Sequence, residues 1–159
     1  MNNTPTLQSF IGGRWIGQHG AAALRSAING QLIALTHEDV LDFGEALDHA
    51  RQEGIAELMA IDFQKRAARL KELGKYLTER KEQLYAISHH SGATRGDSWI
   101  DIEGGAGTLF AYASLGRREL PSGNVVHEGP AIPLGKKGTF VGSHILVPRG
   151  GVAVHINAF

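Results

Sequence analysis

Histidine is the residue type in this chain that is most suited to metal binding or proton transfer. There are eight histidines, and imidazole can ligate a metal or exchange a proton near neutral pH. His89 and His90 are adjacent, so on a helix their side chains diverge by about 100° and do not share one ion. The other six show no His-Glu-x-x-His or similar ligand spacing, and only His144 and His155 could face each other across strands. We therefore predict polar or interface roles for the histidines and no metal site.

The glycine run Gly104–Gly107 is a second candidate, because glycine-rich loops can bind phosphate groups. The dinucleotide-binding fingerprint requires a preceding strand and a third glycine. Here Phe110 occupies the third position, and no strand pattern precedes the run. Each glycine costs an isolated helix about 1 kcal/mol relative to alanine. We therefore interpret the run as the bare face of a buried helix, against which another element packs closely.

A compact charged group is formed by Arg95, Asp97, Asp101 and Glu103. Paired carboxylates can act as general acid and general base. Asp101 and Glu103, however, are two residues apart and do not face the same way on a helix. A salt bridge or a helix cap, with Asp97 as the cap, explains this group better.

The composition excludes several classes of chemistry. The 159 residues contain no cysteine, so this chain supplies no disulfide, no thiolate zinc site and no cysteine nucleophile. Lys+Arg and Asp+Glu both number 16, so no net charge attracts nucleic acid or an anionic membrane. Lys71 and Lys75 alternate with glutamates on a solvated helix face.

Residues 1–10 do not resemble a signal peptide, and no apolar run is long enough to span a membrane. We expect a soluble, cytoplasmic protein.

Two glycine-containing turns predict small antiparallel strands near the N-terminus. Phe10–Ile16 has a Gly-Gly pair at its centre, which is typical of a hairpin. The Asn-Gly pair at 29–30 separates the apolar runs Leu24–Ile28 and Gln31–Leu35. This dipeptide favours a type I′ turn with positive φ at both positions.

Helical spacing of apolar residues dominates the middle of the chain, from about 42 to 120. We predict three helices, Asp42–Leu58, Asp62–His90 and Asp97–Leu120, each with its first aspartate as the N-cap. Gly54 is the expected stop of the first helix. The second is amphipathic with one irregularity, and the third is the glycine-lined helix.

The last segment has the pattern of strands. Thr139–Val147 alternates in hydropathy, and Val152–Ile156 is a β-branched run typical of a strand buried on both faces. A buried parallel strand needs neighbours and a crossover helix, and the sequence contains none after Ile156. We therefore expect an N-terminal piece of a larger α/β protein, with Val152–Ile156 as the first strand of its main sheet.

Three segments carry a family resemblance. Phe10–Ile16, Phe-Ile-Gly-Gly-Arg-Trp-Ile, resembles the opening hairpin of aldehyde dehydrogenases. Pro148–Phe159 is similar to the family segment that leads from the oligomerisation strand into the nucleotide-binding domain, with Ala158 and Phe159 in place of the usual Pro and Trp. Ser91–Gly116, the most specific segment, is similar to the branch that serves aerobic phenylacetic acid and benzoyl-CoA degradation. The resemblance covers residues 8–159.

The resemblance implies NAD(P)-dependent oxidation of an aldehyde to an acid. In this family a cysteine attacks the carbonyl, an asparagine and a backbone N–H stabilise the oxyanion, and a glutamate activates water. For this branch it implies a CoA-linked semialdehyde as substrate, with NADP or NAD as cofactor. The implied architecture is a flexible segment at 1–9, antiparallel oligomerisation strands at about 10–36 and 138–148, helices at about 42–120, and the first strand of a nucleotide-binding sheet at 152–156.

Little of that machinery maps onto this chain, and we predict no catalytic residue in it. The nucleophile is absent, and the oxyanion asparagine would follow Phe159, since Asn157 does not align with it. Ile156, Asn157, Ala158 and Phe159 match a family segment that lines the cofactor cleft, and they are the predicted cofactor contacts. We expect the chain alone to bind no cofactor tightly and to form homo-oligomers through exposed strands.

Two other functions remain open. The chain could be a non-catalytic interaction module whose strands at 139–147 and 152–156 pair with other chains. It could also be a small-molecule-binding domain that uses the glycine-lined helix.

Overall fold

Helices occupy the middle of the molecule, and pairs of strands lie on either side of them in the sequence. The computed structural model describes residues 4–156. Within that range there are three separate two-stranded antiparallel sheets. This mixture of helices and small antiparallel strand pairs confirms the expected combination of α and β structure.

The strands are β1 (Ser9–Ile11), β2 (Arg14–Ile16), β3 (Gly20–Arg25), β4 (Leu32–His37), β5 (Val126–Pro133) and β6 (Val141–Leu146). The helices are α1 (Phe43–His49), α2 (Ile55–Met59), α3 (Phe63–Glu79), α4 (Lys81–His89), α5 (Arg95–Trp99) and α6 (Gly105–Glu119). Two π-helical turns, Ala50–Gly54 and Ile100–Gly104, join α1 to α2 and α5 to α6.

The first predicted hairpin is confirmed. β1 and β2 pair antiparallel, and Gly12 and Gly13 between them have φ values of 56° and 75°. Both values lie in the left-handed region that glycine adopts at little cost. Phe10 and Trp15 face each other across the strands, with ring centroids 5.0 Å apart.

The second hairpin exists, but the predicted turn type is wrong. Gly30 has a φ of 71°, whereas no non-glycine residue in the described range has a positive φ, so Asn29 does not. Ser26 N–H donates to the Gln31 carbonyl at 2.9 Å and closes a wider loop. The Asn29 side chain accepts from Gln31 N–H at 3.0 Å. This side-chain bond stabilises the loop without a left-handed asparagine.

The first helical segment spans nearly the predicted range but continues through its expected stop. Asp42 caps it as expected, and its Oδ1 accepts from Glu45 N–H at 2.9 Å. Gly54 does not stop the helix, because its backbone is helical (φ −62°, ψ −41°) and the helix continues to Met59. Arg66 Nη2 donates to the Leu58 carbonyl at 2.6 Å and satisfies a backbone acceptor at that end.

The other predicted helix boundaries are confirmed at one position and corrected at another. Asp62 caps α3 by accepting from Lys65 N–H at 2.8 Å, and the predicted irregularity lies at Arg80 (φ −108°), between α3 and α4. Asp97 is not the cap of the third segment. Thr94 is the cap, and Asp97 completes a capping box in which each side chain bonds the other residue's backbone N–H.

Helices α3 and α6 pack antiparallel through glycines other than the predicted ones. A Cβ at Gly116 would lie 3.1 Å from Ala67 Cβ, and one at Gly74 would lie 3.1 Å from the Phe110 ring. In the predicted run, Gly104, Gly105 and Gly107 would meet no atom within 4 Å. The interpretation of this run as a closely packed face is therefore wrong for the described residues.

The C-terminal strands differ from the prediction in two ways. β5 was not predicted; it contains Pro130 and Pro133, and it pairs antiparallel with β6. Val152–Ile156 forms no strand here and is exposed, with Val154 78% and Ile156 90% accessible. No strand in the described range pairs with this segment, and no described part of the chain buries it. Its role as the first strand of a larger sheet stays a prediction.

Very little of the chain is buried. The buried apolar residues in the described range are mostly small: Ala34, Ala67, Tyr85, Ala106 and Ala113.

Candidate functional site

The most connected polar cluster lies where α4 meets the second π-helical turn and α5. Glu103 Oε1 accepts from the Tyr85 hydroxyl at 2.8 Å, and Glu103 Oε2 accepts from Lys81 Nζ at 3.2 Å. The Arg95 guanidinium lies over the Tyr85 ring, 4.1 Å from its centroid, and bonds Glu82 at 3.1 Å. The cluster therefore ties three consecutive helical elements together.

The ionisation of this cluster favours a structural role. Hydrogen bonds from Tyr85 and Lys81 hold the pKa of Glu103 below its usual value. Burial, and then the bond to Glu103, raise the pKa of Tyr85. Glu103 therefore stays ionised and Tyr85 stays protonated at neutral pH, so neither is poised to exchange a proton. Asp101 is exposed and takes no part, as expected from its spacing.

A serine and a histidine lie close together near the N-terminus. Ser9 Oγ and His37 Nε2 are 2.9 Å apart. A serine nucleophile needs Nε2 as the acceptor, which places the imidazole proton on Nδ1. His37 Nδ1 is buried and has no partner among the described residues. No carboxylate holds the required tautomer, so the pair lacks the arrangement that activates serine.

The histidines do not form a metal centre in the part of the chain that the structure describes. No three His, Cys, Asp or Glu side chains there could hold one ion. His144 in β6 lies opposite Glu128, and His155 lies in a segment without strand structure. The predicted possibility of a cross-strand histidine pair is therefore not realised.

An open cleft of about 460 Å³ lies between α3 and α6. Its lining residues are Lys71, Phe110, Ala113, Ser114, Arg117 and Arg118. Sequence reasoning missed this cleft, because Lys71 was assigned to a solvated face and the two arginines lie far away in the sequence. The only available indication was the Arg-Arg pair after Gly116.

The predicted cofactor contacts do not form a pocket in the described range. Ile156 is exposed, and Asn157, Ala158 and Phe159 lie outside the described residues. Their contact with a cofactor stays a prediction. Among the described residues, no helix is both long enough and apolar enough to cross a membrane.

Comparison with known proteins gives one clear relationship. No family model matches the chain. The chain is 37% identical over 155 residues to a 3,4-dehydroadipyl-CoA semialdehyde dehydrogenase from Aromatoleum evansii. The match covers 96% of this chain and 30% of that protein, so the chain spans less than a third of the length of its curated relative.

Proposed function

Because the chain is related along nearly its whole length to an aldehyde dehydrogenase family member, we propose that it is a structural part of an NAD(P)-dependent dehydrogenase for a CoA-linked semialdehyde. The observation that carries this proposal is the 37% identity over 155 residues. The relative's name specifies an aldehyde joined to CoA. The proposed reaction converts that aldehyde to its acid while NAD(P) accepts a hydride, as part of aerobic degradation of an aromatic compound such as phenylacetate.

The proposed role of these residues is to support catalysis rather than to perform it. They contain no cysteine, so the thiolate that attacks the aldehyde has to come from polypeptide beyond them. The clusters around Glu103 and Ser9 provide no substitute nucleophile. The helices and strand pairs would instead brace the cofactor domain and join subunits.

The large exposed area supports the proposal that other polypeptide covers this part of the enzyme. The accessible surface is 12353 Å², against roughly 7,800 Å² for a compact monomer of this mass. The difference is several times the ~800 Å² that one partner contributes to a standard interface. One ordinary dimer contact would therefore leave most of the excess uncovered.

An NADPH absorbance assay tests the proposal. The DNA beyond the Phe159 codon is sequenced, and any longer protein that it encodes is produced. The rate of cofactor reduction by that protein is compared with the rate by the 159-residue chain, with a CoA-linked semialdehyde and either NADP or NAD. We expect reduction of the cofactor by the longer product and none by the shorter chain. Turnover by the shorter chain, or a longer product inactive with both cofactors, would contradict the proposal.

A non-catalytic interaction module is the second candidate, favoured by the hairpin of β5 and β6. These strands pack mainly against each other, and an isolated two-stranded hairpin is marginally stable in water. On β6, Val141 and Ile145 lie on the same face of the strand, and they are 51% and 52% exposed. That apolar face is the proposed contact with a second copy of the chain.

Light scattering tests whether the chain associates through this face of β6. Ile145→Lys should lower the association of the chain, because it places a charge on the apolar face of β6. His144→Lys adds the same charge on the opposite face and serves as the matched control. Equal association of both variants and the unmodified chain, or a monomer at every concentration, would exclude the module.

A further inference from the structure

The cleft between α3 and α6 combines positive charge with an aromatic wall. Lys71, Arg117 and Arg118 line it together with Phe110, and none of the lining residues is acidic. Its volume of about 460 Å³ falls within the roughly 300–1,000 Å³ of small-molecule sites. Charge and shape therefore favour an anionic ligand that has a flat, apolar portion.

Two of the cations are available to such a ligand. Among the described residues, Lys71 and Arg117 form no ion pair, whereas Arg118 Nε bonds Glu119 at 2.6 Å. Two carbonyls at the C-terminal end of α6 have a hydrogen-bond donor other than these cations. Gln64 Nε2 donates to the carbonyls of Gly116 and Leu120, at 3.3 and 2.7 Å.

The aromatic wall is held in place by close packing. Phe110 is half-buried, and its ring edge lies so near Gly74 that a Cβ there would be 3.1 Å from Cε1 and Cζ. A ring fixed in this way offers a stacking surface for a nucleobase. The Ser114 hydroxyl in the same lining can donate to a phosphate or sugar oxygen.

We infer that this cleft binds an adenosine bisphosphate group, with the base against Phe110 and the phosphates between Lys71 and Arg117. The choice of this ligand rests on the proposed function, because CoA carries adenosine 3′,5′-bisphosphate and NADP carries adenosine 2′,5′-bisphosphate. Both groups combine a flat base with phosphates, which is the chemistry that the cleft matches. Because the cleft is open to solvent, binding is weak and falls as salt is added.

An NMR titration of the ¹⁵N-labelled chain tests the inference. The probes are the two adenosine bisphosphates, adenosine alone and pyrophosphate alone. We expect shifts around Phe110 and Arg117 with either bisphosphate, and at least about fivefold weaker binding in Lys71→Gln/Arg117→Gln. Preference for the 3′,5′ isomer would point to CoA, and preference for the 2′,5′ isomer to NADP.

The matched control is Lys65→Gln/Arg69→Gln, which removes the same charge from residues of α3 outside the cleft. It should bind the bisphosphates as the unmodified chain does. Three results would overturn the inference: no binding of either bisphosphate, equal loss in the control, or pyrophosphate binding as tightly as the bisphosphates. The titration measures the 159-residue chain without turnover, so its outcome is separate from that of the dehydrogenase assay.

Discussion

Glu103 is held by two donors from one neighbouring helix. Tyr85 and Lys81 lie four residues apart in α4 and bond different oxygens of the same carboxylate. Arg95 covers the ring of Tyr85 and connects the cluster to Glu82. Since Tyr85 is one of the few large buried side chains, its hydroxyl depends on this carboxylate for a partner.

Tyr85→Phe should therefore destabilise the chain. The change removes the 2.8 Å bond to Glu103 and keeps the ring, so we expect Tm to fall by about 2–4 °C. Tyr112→Phe is the control, because Tyr112 is 63% exposed. Thermal unfolding followed by circular dichroism measures both. Equal Tm values for the two variants would show that the hydroxyl bond contributes nothing.

The pair His19 and Asp39 gives a prediction about pH. Their side chains lie 2.7 Å apart, and the bond to Asp39 raises the pKa of His19 above 6.5. A raised folded-state pKa stabilises the fold fully below 6.5, and that contribution is lost as pH rises through the higher value. The same bond lowers the pKa of Asp39 below 3.8, so the pair also weakens as pH falls below that value.

NMR titration of the His19 ring checks the direction of this shift. The midpoint should lie above 6.5 in the unmodified chain and fall towards that reference in Asp39→Asn. Glu38→Gln removes a weaker influence on the same ring, so it should change the midpoint less. A midpoint that Asp39→Asn leaves in place would contradict the assignment.

At the element scale, helix packing depends on which glycines face a neighbour. Gly116 lies against the buried Ala67, whereas Gly107 faces open space, although both belong to α6. A sequence shows only that a Cβ is missing from each. The neighbour is set by the crossing of two helices that are distant in the sequence, which no local pattern contains.

Two alanine substitutions should therefore differ in effect. Gly107→Ala adds a Cβ in open space and should raise stability by about 1 kcal/mol through helix propensity. Gly116→Ala places a Cβ 3.1 Å from that of Ala67, so the helices must separate and most of this gain should be lost. Chemical denaturation compares the two variants. A gain at Gly116 equal to that at Gly107 would contradict the close packing.

Features that depend on residues close together in the sequence were predicted, and features that depend on tertiary packing were not. The caps Asp42 and Asp62 and the Gly-Gly hairpin are local, because each depends on bonds or torsions within a few residues. β5 contains two prolines and pairs only because β6 lies beside it. The Lys71–Arg117 cleft joins residues on two helices. Both are products of tertiary arrangement and lack a local pattern.

At the scale of the whole molecule, the surface is too large for the mass. Using a folded area of 12353 Å² and about 24,800 Å² for the unfolded chain, folding buries about half of the unfolded surface. A compact chain of this length buries roughly 68–70%. The hydrophobic stabilisation is correspondingly smaller. Other polypeptide that covered this surface would therefore add to the stability of the fold.

The denaturant dependence of unfolding should reveal this deficit. The m-value scales with the surface exposed on unfolding, so the chain should give an m-value about one quarter below that of a compact protein of its length. Urea unfolding at several protein concentrations measures it. If a second copy covers apolar surface, the m-value should rise with concentration in the unmodified chain and less in Ile145→Lys. A full-sized m-value in a dilute monomer would show that the chain buries its own apolar surface, and the proposal that other polypeptide covers it would then fail.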